Sequence, residues 1–136
     1  MKKRFNAEKE NLQDLIKFVH RNIDSYVDEK TISKIELVIE EIFINIVNYA
    51  YKDEEEKAVC VDIRKDNQKM IITFEDNGIP FNPLDNEDPD IRLNAEERQI
   101  GGLGIYLVKK IMDDVKYLYK ENKNILIIEK NIDKEN

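Results

Sequence analysis

Apolar residues recur along this chain with two different periods, and the period distinguishes predicted helices from predicted strands. Between residues 7 and 23 they lie three and four positions apart, which is one face of an α-helix. The same spacing predicts a second helix from about Thr31 to Tyr49. Ser33 and Glu36 have capping-box spacing, with Thr31 as an alternative cap. The apolar seam of this second helix consists of Ile32, Ile35, Ile39, Ile42, Ile46 and Ala50.

Five other segments are short and rich in apolar residues, as expected of strands. They read "KKRFN", "AVCVDIRK", "KMIITFE", "VKYLYKE" and "ILIIEKNI", with "DNQ" and "NKN" as the turns of two hairpins. A short helix is predicted over "IYLVKKIMDD". Antiparallel hairpins with segregated helices indicate an α+β fold, a two-layer sandwich with helices packed on one face of a mixed, mostly antiparallel sheet.

Composition narrows the class of protein. The chain has 136 residues, 41% of them hydrophobic, which is enough for one domain spanning 1–136 with a core of its own. The net charge of -7 argues against direct binding of nucleic acid. One cysteine excludes an internal disulfide framework, and the absence of a long apolar run predicts a cytoplasmic protein without a membrane anchor.

The predicted second helix carries a stripe of polar residues that suit ligand binding or catalysis. Glu41 and Asn45 are four residues apart, so their side chains project on the same side, and Asn48 and Lys52 continue that stripe. A carboxylate can accept a proton from a hydroxyl, and an amide oxygen one turn on suits Mg²⁺ that also carries phosphate oxygens. Because such a pair is common, a solvated helix face is the alternative interpretation.

Two further segments combine glycine with strand or helix ends. Gly101, Gly102 and Gly104 immediately precede the short third helix, where backbone N–H groups can converge on phosphate oxygens. The alternative is a flexible loop entering a helix. Asp76 and Gly78 follow the strand "KMIITFE" within "DNGIPF", a sequence that also suits an ordinary turn. Between these segments, residues 79–100 form a long polar stretch, which is typical of a functional or disordered loop.

Taken in order, "EEIFINIVNYAYK", "DNGIPF" and "GGLGIYLVKKIMD" resemble the three ATP-binding boxes of the GHKL superfamily. The likeness covers about residues 5–130 and is strongest to the small bacterial anti-sigma factor serine-protein kinases. In that family a glutamate precedes the metal-binding asparagine by four, as Glu41 precedes Asn45. "NYAYK" resembles the family's "HAYK" with tyrosine at the histidine, and "DNGIPF" departs from the "DxGxG" of many members.

The resemblance implies a Bergerat-type ATP-binding fold and a role for each matched residue. Glu41 would be the catalytic base, Asn45 the Mg²⁺ ligand, and Asp76 the acceptor for the amine of adenine. The segment from about 79 to 104 would be the ATP lid. The nucleotide-binding residues expected on this basis are Asn45, Asn48, Lys52, Asp76, Gly78, Arg98, Gly101, Gly102, Leu103 and Gly104.

The function implied is an anti-sigma regulatory serine/threonine-protein kinase that uses Mg-ATP. Its implied partners are a small anti-anti-sigma (STAS-type) protein as substrate and a sigma factor held inactive, and the resemblance commonly implies a homodimer. The alternative is a nucleotide-dependent binding module without kinase activity, for which Glu41 would have no use. A histidine kinase is a poor fit, because the only histidine, His20, lies in no phosphoacceptor-like context.

Overall fold

The computed structural model describes residues 1–51, 57–85 and 102–132, and within them five strands form one sheet beside three α-helices. The elements are β1 (Lys2–Asn6), α1 (Leu12–Ile23), α2 (Glu29–Asn45), β2 (Ala58–Asp66), β3 (Lys69–Asp76), α3 (Gly102–Ile111), β4 (Asp114–Lys120) and β5 (Lys123–Asn131). All eight correspond to elements predicted from the periodicity.

The sheet has the strand order β1-β2-β3-β5-β4, so β3 lies at its centre. Every described pair of neighbouring strands is antiparallel, without the parallel pair that a mixed sheet would contain. The predicted α+β class is confirmed. In the β3–β5 pairing Asp76 stands opposite Asn124, which brings two polar residues together at one end of the central strands.

One face of the sheet is buried beneath the helices. Alternate residues of each central strand point to that face, as the strand period requires. The buried strand residues include Val59, Val61, Ile63, Met70, Ile72, Phe74, Leu126 and Ile128. From α2, the residues buried against them are Ile32, Ile35, Val38, Ile39, Ile42 and Phe43. The predicted seam of α2 is therefore the core-facing side of the helix.

The N-terminus of α2 differs from the prediction. The helix begins at Glu29, and Asp28 is its cap: the Asp28 carboxylate accepts the backbone N–H of Thr31 at 2.7 Å. The predicted caps, Ser33 and Thr31, are wrong because both lie inside the helix. An aspartate before the first turn satisfies a free N–H and also complements the helix dipole.

The other end of α2 also departs from the predicted geometry. Regular α-helix stops at Asn45 and is followed by a π-helical turn over Ile46–Ala50, after which Tyr51 is extended. A π-helical turn has more residues per turn than an α-helix, so it rotates later side chains off the predicted stripe. Asn48 is exposed within this turn.

Element boundaries in the second half of the chain also differ from the predicted ones. The third helix starts at Gly102, three residues before the predicted start, and Asp114 belongs to β4. The β4–β5 turn is made by Glu121 and Asn122, which have φ values of 53° and 63°. Asn124, predicted to lie in the turn "NKN", is therefore a strand residue of β5.

The described residues contain no helix long and apolar enough to cross a lipid bilayer.

Candidate functional site

A cavity of about 40 Å³ lies between the C-terminal half of α2, the end of the central strands and the start of α3. Apolar side chains make up most of its wall. The polar residues that line it are Asn45 from α2, Asp76 from β3, Tyr117 from β4 and Asn124 from β5. An apolar cavity with a few converging polar groups is typical of a small-molecule site.

Asp76 places a buried carboxylate at the back of this cavity, with only 7% of the residue exposed. Its Oδ1 accepts the backbone N–H of Gly78 and the side-chain amide of Asn124, both at 2.9 Å. Burial raises the pKa of Asp76, and the two hydrogen bonds oppose that rise. None of the hydrogen bonds within the described chain goes to Oδ2, so that oxygen is left for a donor in the cavity.

The turn after Asp76 is fastened to the end of α2. The hydroxyl of Tyr51 accepts the Asn77 N–H at 2.9 Å and donates to the Ala58 carbonyl at 2.6 Å. The Ile79 N–H donates to the Ala50 carbonyl at 2.9 Å. These bonds satisfy backbone groups in a turn that belongs to no sheet or helix, so the aspartate sits on a rigid support.

Gly78 is required by the close approach of this turn to α2. A Cβ at Gly78 would lie 2.7 Å from the carbonyl carbon of Ala50 and 2.6 Å from the Ala50 Cβ. Backbone atoms cannot move aside without shifting the helix end. Gly78 therefore permits the contact between the turn and the helix, a structural reason that stands beside its predicted role near a ligand.

We expect Gly78→Ala to destabilise the fold by about 2–3 kcal/mol, because a methyl group is forced against backbone. Gly104→Ala is a matched control: its Cβ would meet the flexible Glu41 side chain, at 3.2 Å from the carboxyl carbon. We expect that control to cost less than about 1 kcal/mol. Urea unfolding of both variants measures the difference. Equal losses in the two would show that Gly78 does not contact Ala50 as described.

Glu41 lies beside the first turn of α3, in contact with Gly104. Burial raises the pKa of Glu41, and the nearby charge of Glu40 raises it further. A carboxylate with a raised pKa is a better proton acceptor. The structure thus brings the predicted base, Glu41, against Gly104 of the predicted phosphate-binding segment, 63 positions later in the chain.

Asn45 is the one predicted metal ligand, and it lines the cavity one helical turn beyond Glu41. No group of three or more His, Cys, Asp or Glu in the described residues could hold a metal ion. A metal here would rely on the Asn45 amide oxygen and on oxygens from water and a bound ligand. Mg²⁺ prefers oxygen ligands, usually keeps several waters and takes oxygens from substrate phosphates, so one amide oxygen from the protein fits it.

The remaining predicted residues are placed unevenly. Gly102 begins α3 and Leu103 is its second residue. Asn48 is exposed and does not line the cavity. Lys52, Arg98 and Gly101 lie outside the described residues, as does most of the predicted lid. Their assignments stay predictions.

The sequence analysis missed several cavity residues, above all Asn124 and Tyr117. Asn124 is 6% exposed and hydrogen-bonds to Asp76, and Tyr117 donates its hydroxyl to Asn124. A signal for Asn124 was present: counting back by two from Ile128 and Leu126 places it on the buried face. Phe81 was also missed; its ring lines the cavity and stacks on Tyr49 at a centroid distance of 5.8 Å.

His20 lies away from this site. It is exposed on α1 and contacts the Glu36 carboxylate of α2 at 3.0 Å. This pairing gives the only histidine a structural setting on the helix surface.

Comparison with known proteins identifies the class of this domain. Residues 5–130 match the family described as "Histidine kinase-like ATPase domain". The chain belongs to that family. The resemblance to GHKL ATPases is thereby confirmed.

Among curated relatives, the chain is similar to proteins named "Serine-protein kinase RsbW". The relative from Listeria monocytogenes is 29% identical over 102 residues, covering 72% of this chain and 65% of the relative. A relative from Bacillus cereus is 31% identical over 101 residues, covering 71% and 62%. The chain thus spans somewhat less than two thirds of the length of these relatives.

Solved structures similar to this one include histidine kinase domains. The catalytic domain of the histidine kinase ThkA gives a TM-score of 0.56 at 14% identity, covering 97% of each chain. The kinase domain of a blue-light activated histidine kinase from Erythrobacter litoralis gives 0.52 at 17% identity, covering 75% of this chain and 45% of the other. At these identities the likeness concerns the fold alone.

Proposed function

We propose that this protein is a serine/threonine-protein kinase that binds Mg-ATP and phosphorylates a small anti-anti-sigma protein of the STAS type while sequestering a sigma factor. One observation carries the proposal. The Glu41 carboxylate of α2 lies against Gly104 at the start of α3, and α2 also brings Asn45 to the cavity. An ATP-binding module without transfer chemistry has no use for a partly buried carboxylate in that position.

Adenine recognition is assigned to Asp76. Its Oδ1 is occupied by Gly78 and Asn124, so Oδ2 can accept the exocyclic amine of the base. Guanine carries a carbonyl on the equivalent edge and would meet the carboxylate oxygen acceptor to acceptor. The apolar wall supplied by Ile42, Phe74 and Ile105 suits the flat faces of a purine.

The phosphates are assigned to the start of α3. Gly102 and Gly104 begin that helix, where free N–H groups and the positive end of the helix dipole favour anions. Asn45 would hold Mg²⁺, which neutralises phosphate charge when bound. The roles of Asn48, Lys52, Arg98, Gly101 and Leu103 in nucleotide binding belong to the same proposal.

Transfer requires a hydroxyl nucleophile and an acceptor for its proton. The serine or threonine oxygen of the partner attacks the γ-phosphorus, and the bond from that phosphorus to the bridging oxygen of ADP breaks. Glu41 takes the hydroxyl proton. Its raised pKa suits this task, since a carboxylate disfavoured in its charged form binds a proton more readily.

The partners are those implied by the family resemblance of the ATP-binding segments, and similarity to proteins named as serine-protein kinases supports the kinase activity. A homodimer and a cytoplasmic location are part of the same proposal. The competing function, a nucleotide-gated binding module, predicts ATP binding and partner capture without a phosphorylated product. Mass spectrometry of the STAS-type partner after incubation with Mg-ATP distinguishes the two.

The site itself is tested by calorimetric titration of ATP, ADP and GTP, with and without Mg²⁺. We expect wild type to prefer adenine nucleotides and to bind ATP more tightly with Mg²⁺. Asn45→Ala should lose about tenfold of that metal-dependent gain, while its metal-free affinity stays within about threefold. Asn22→Ala, the same change on α1 away from the cavity, is the control. If Asn45→Ala kept the full effect of Mg²⁺, Asn45 would not be the ligand.

A further inference from the structure

The side chain of Asn124 has every hydrogen-bonding position filled. Its Nδ2 donates to Asp76 Oδ1 and to the Ile79 carbonyl, both at 2.9 Å. Its Oδ1 accepts the Phe81 N–H at 3.1 Å and the hydroxyl of Tyr117. A side-chain amide offers two donors and two acceptor positions, and all four are used here. Asn124 is therefore not free to contact a nucleotide through these atoms.

Chemistry fixes the orientation of this amide. A backbone N–H can only donate, so the Asn124 oxygen must face Phe81. With that oxygen placed, the NH₂ group faces Asp76 and the Ile79 carbonyl. The carbonyl can only accept a hydrogen bond, and so can the carboxylate of Asp76 when it is ionised. The opposite orientation would set oxygen against oxygen at two places. Asn124 thus acts in one direction, as a donor towards the carboxylate.

Two consequences meet at the cavity. The donor from Asn124 holds Asp76 Oδ1 and thereby leaves Oδ2 as the acceptor for a ligand. The same residue ties down the segment 79–81, the part of the predicted lid that leaves the Asp76 turn. Phe81, on that segment, lines the same cavity as Asp76. Asn124 therefore contacts both the carboxylate and the segment that carries Phe81.

We infer that Asn124, held by Tyr117, is the positioning residue that sets the adenine preference of the site and links the Asp76 carboxylate to the 79–81 segment. This inference rests on the proposed ATP-binding function. Asn124 acts through Asp76 and through the 79–81 segment, while Tyr117 buttresses its amide oxygen from β4. A purine bound in the cavity would meet the carboxylate oxygen that this amide leaves free, beside the segment that the same amide holds in place.

Asn124→Asp is the direct test. It replaces the NH₂ donor with an oxygen of similar shape, so a charged acceptor faces Asp76 and the Ile79 carbonyl. We expect ATP to bind at least about tenfold more weakly and the preference for ATP over GTP to fall by a similar factor. Asn67→Asp makes the same chemical change at the β2–β3 turn, at the other end of β3, where φ is 58°. That control should bind both nucleotides like wild type.

Two gentler variants separate positioning from support of the fold. Asn124→Thr keeps one hydroxyl that can donate to Asp76 but cannot also hold Ile79 and Phe81. We expect it to retain the ATP preference over GTP while binding both nucleotides more weakly. Tyr117→Phe removes only the hydroxyl, and we expect about threefold weaker ATP binding. These variants decide the question if Asn124→Asp fails to fold.

The outcomes separate this inference from the proposed function. Wild type that binds no nucleotide would overturn both. Wild type with adenine-selective binding, alongside Asn124→Asp and Tyr117→Phe with unchanged affinity and unchanged ATP-to-GTP ratio, would overturn the positioning role alone. A uniform loss of ATP and GTP binding in folded Asn124→Asp, with the ratio intact, would also count against it, since it would show support of the cavity without an effect on base recognition.

Discussion

Glu41→Gln is expected to lower phosphoryl transfer to the partner by about 10²- to 10⁴-fold while leaving ATP affinity within about twofold. The amide keeps the size of the carboxylate beside Gly104 but cannot accept the hydroxyl proton. Single-turnover transfer of labelled phosphate and calorimetric ATP binding, measured on the same preparation, provide the two numbers. Equal loss of both would remove the assignment of Glu41 as base.

Glu40→Gln is the matched control, because Glu40 is the exposed neighbour on a different face of α2. It should keep transfer near the wild-type rate at neutral pH. Since the charge of Glu40 contributes to the raised pKa of Glu41, its removal should lower that pKa. The base works when ionised, so transfer falls as the pH drops through the Glu41 pKa. In Glu40→Gln this fall should begin at a lower pH than in wild type.

Asp76→Asn should weaken ATP binding by about tenfold to a hundredfold, the range expected for loss of a hydrogen bond to a charged group. The asparagine oxygen would keep the bonds from Gly78 and Asn124, so its NH₂ would take the place of Oδ2. Donor would then face donor at the adenine amine. The guanine carbonyl would find a partner there, so the preference for ATP over GTP should shrink or invert in calorimetric titrations.

The fold should tolerate this change. The pKa of Asp76 is raised by burial, so the native state disfavours the ionised form, and a neutral amide removes that penalty. We expect an unfolding midpoint equal to or slightly above that of wild type. Asp66→Asn at the far end of the β2–β3 hairpin controls for the change in net charge. Unchanged ATP affinity in Asp76→Asn would refute the adenine assignment.

Periodicity was sufficient to predict the elements because burial on one face governs them. The alternation Met70, Ile72 and Phe74 in β3 requires a half-buried strand whatever its neighbours are. The ends of the helices were harder to predict, because several neighbouring residues suited the same capping role. Asp28, Thr31 and Ser33 are all capable caps, and the buried Ile32 of the first turn lies within the helix that Asp28 begins.

The end of α2 could not be predicted from local sequence. The π-helical turn ends at Ala50, whose carbonyl accepts the Ile79 N–H and against whose backbone Gly78 packs. These contacts join residues nearly 30 positions apart, so no window around Ala50 contains them. The predicted stripe assumed regular α-helix after Asn45, and for that reason Asn48 lies exposed in the π-helical turn, away from the cavity lining.

The site was predicted in part. Resemblance supplied Glu41, Asn45 and Asp76, and the structure brings Asn45 and Asp76 to one cavity and Glu41 to the start of α3. Asn124 was not predicted as a site residue, because two asparagines near the β4–β5 turn both suit a positive φ. Only the backbone shows that Asn122 adopts it. Which polar residues a sheet places side by side depends on register, and the pairing of Asp76 with Asn124 is a property of two strands 48 positions apart.

The tyrosines in and beside the cavity wall have a spectroscopic consequence. The chain contains no tryptophan and six tyrosines, so tyrosine dominates its ultraviolet emission. Three of them report on this site: Tyr49 stacks on Phe81, Tyr51 bonds to the Asn77 N–H, and Tyr117 bonds to Asn124. A ligand bound beside Asp76 and Phe81 would change the surroundings of these phenols. Tyrosine fluorescence therefore reports ligand binding in the cavity. Because the chain has no tryptophan of its own, a single engineered tryptophan would emit without background from other tryptophans.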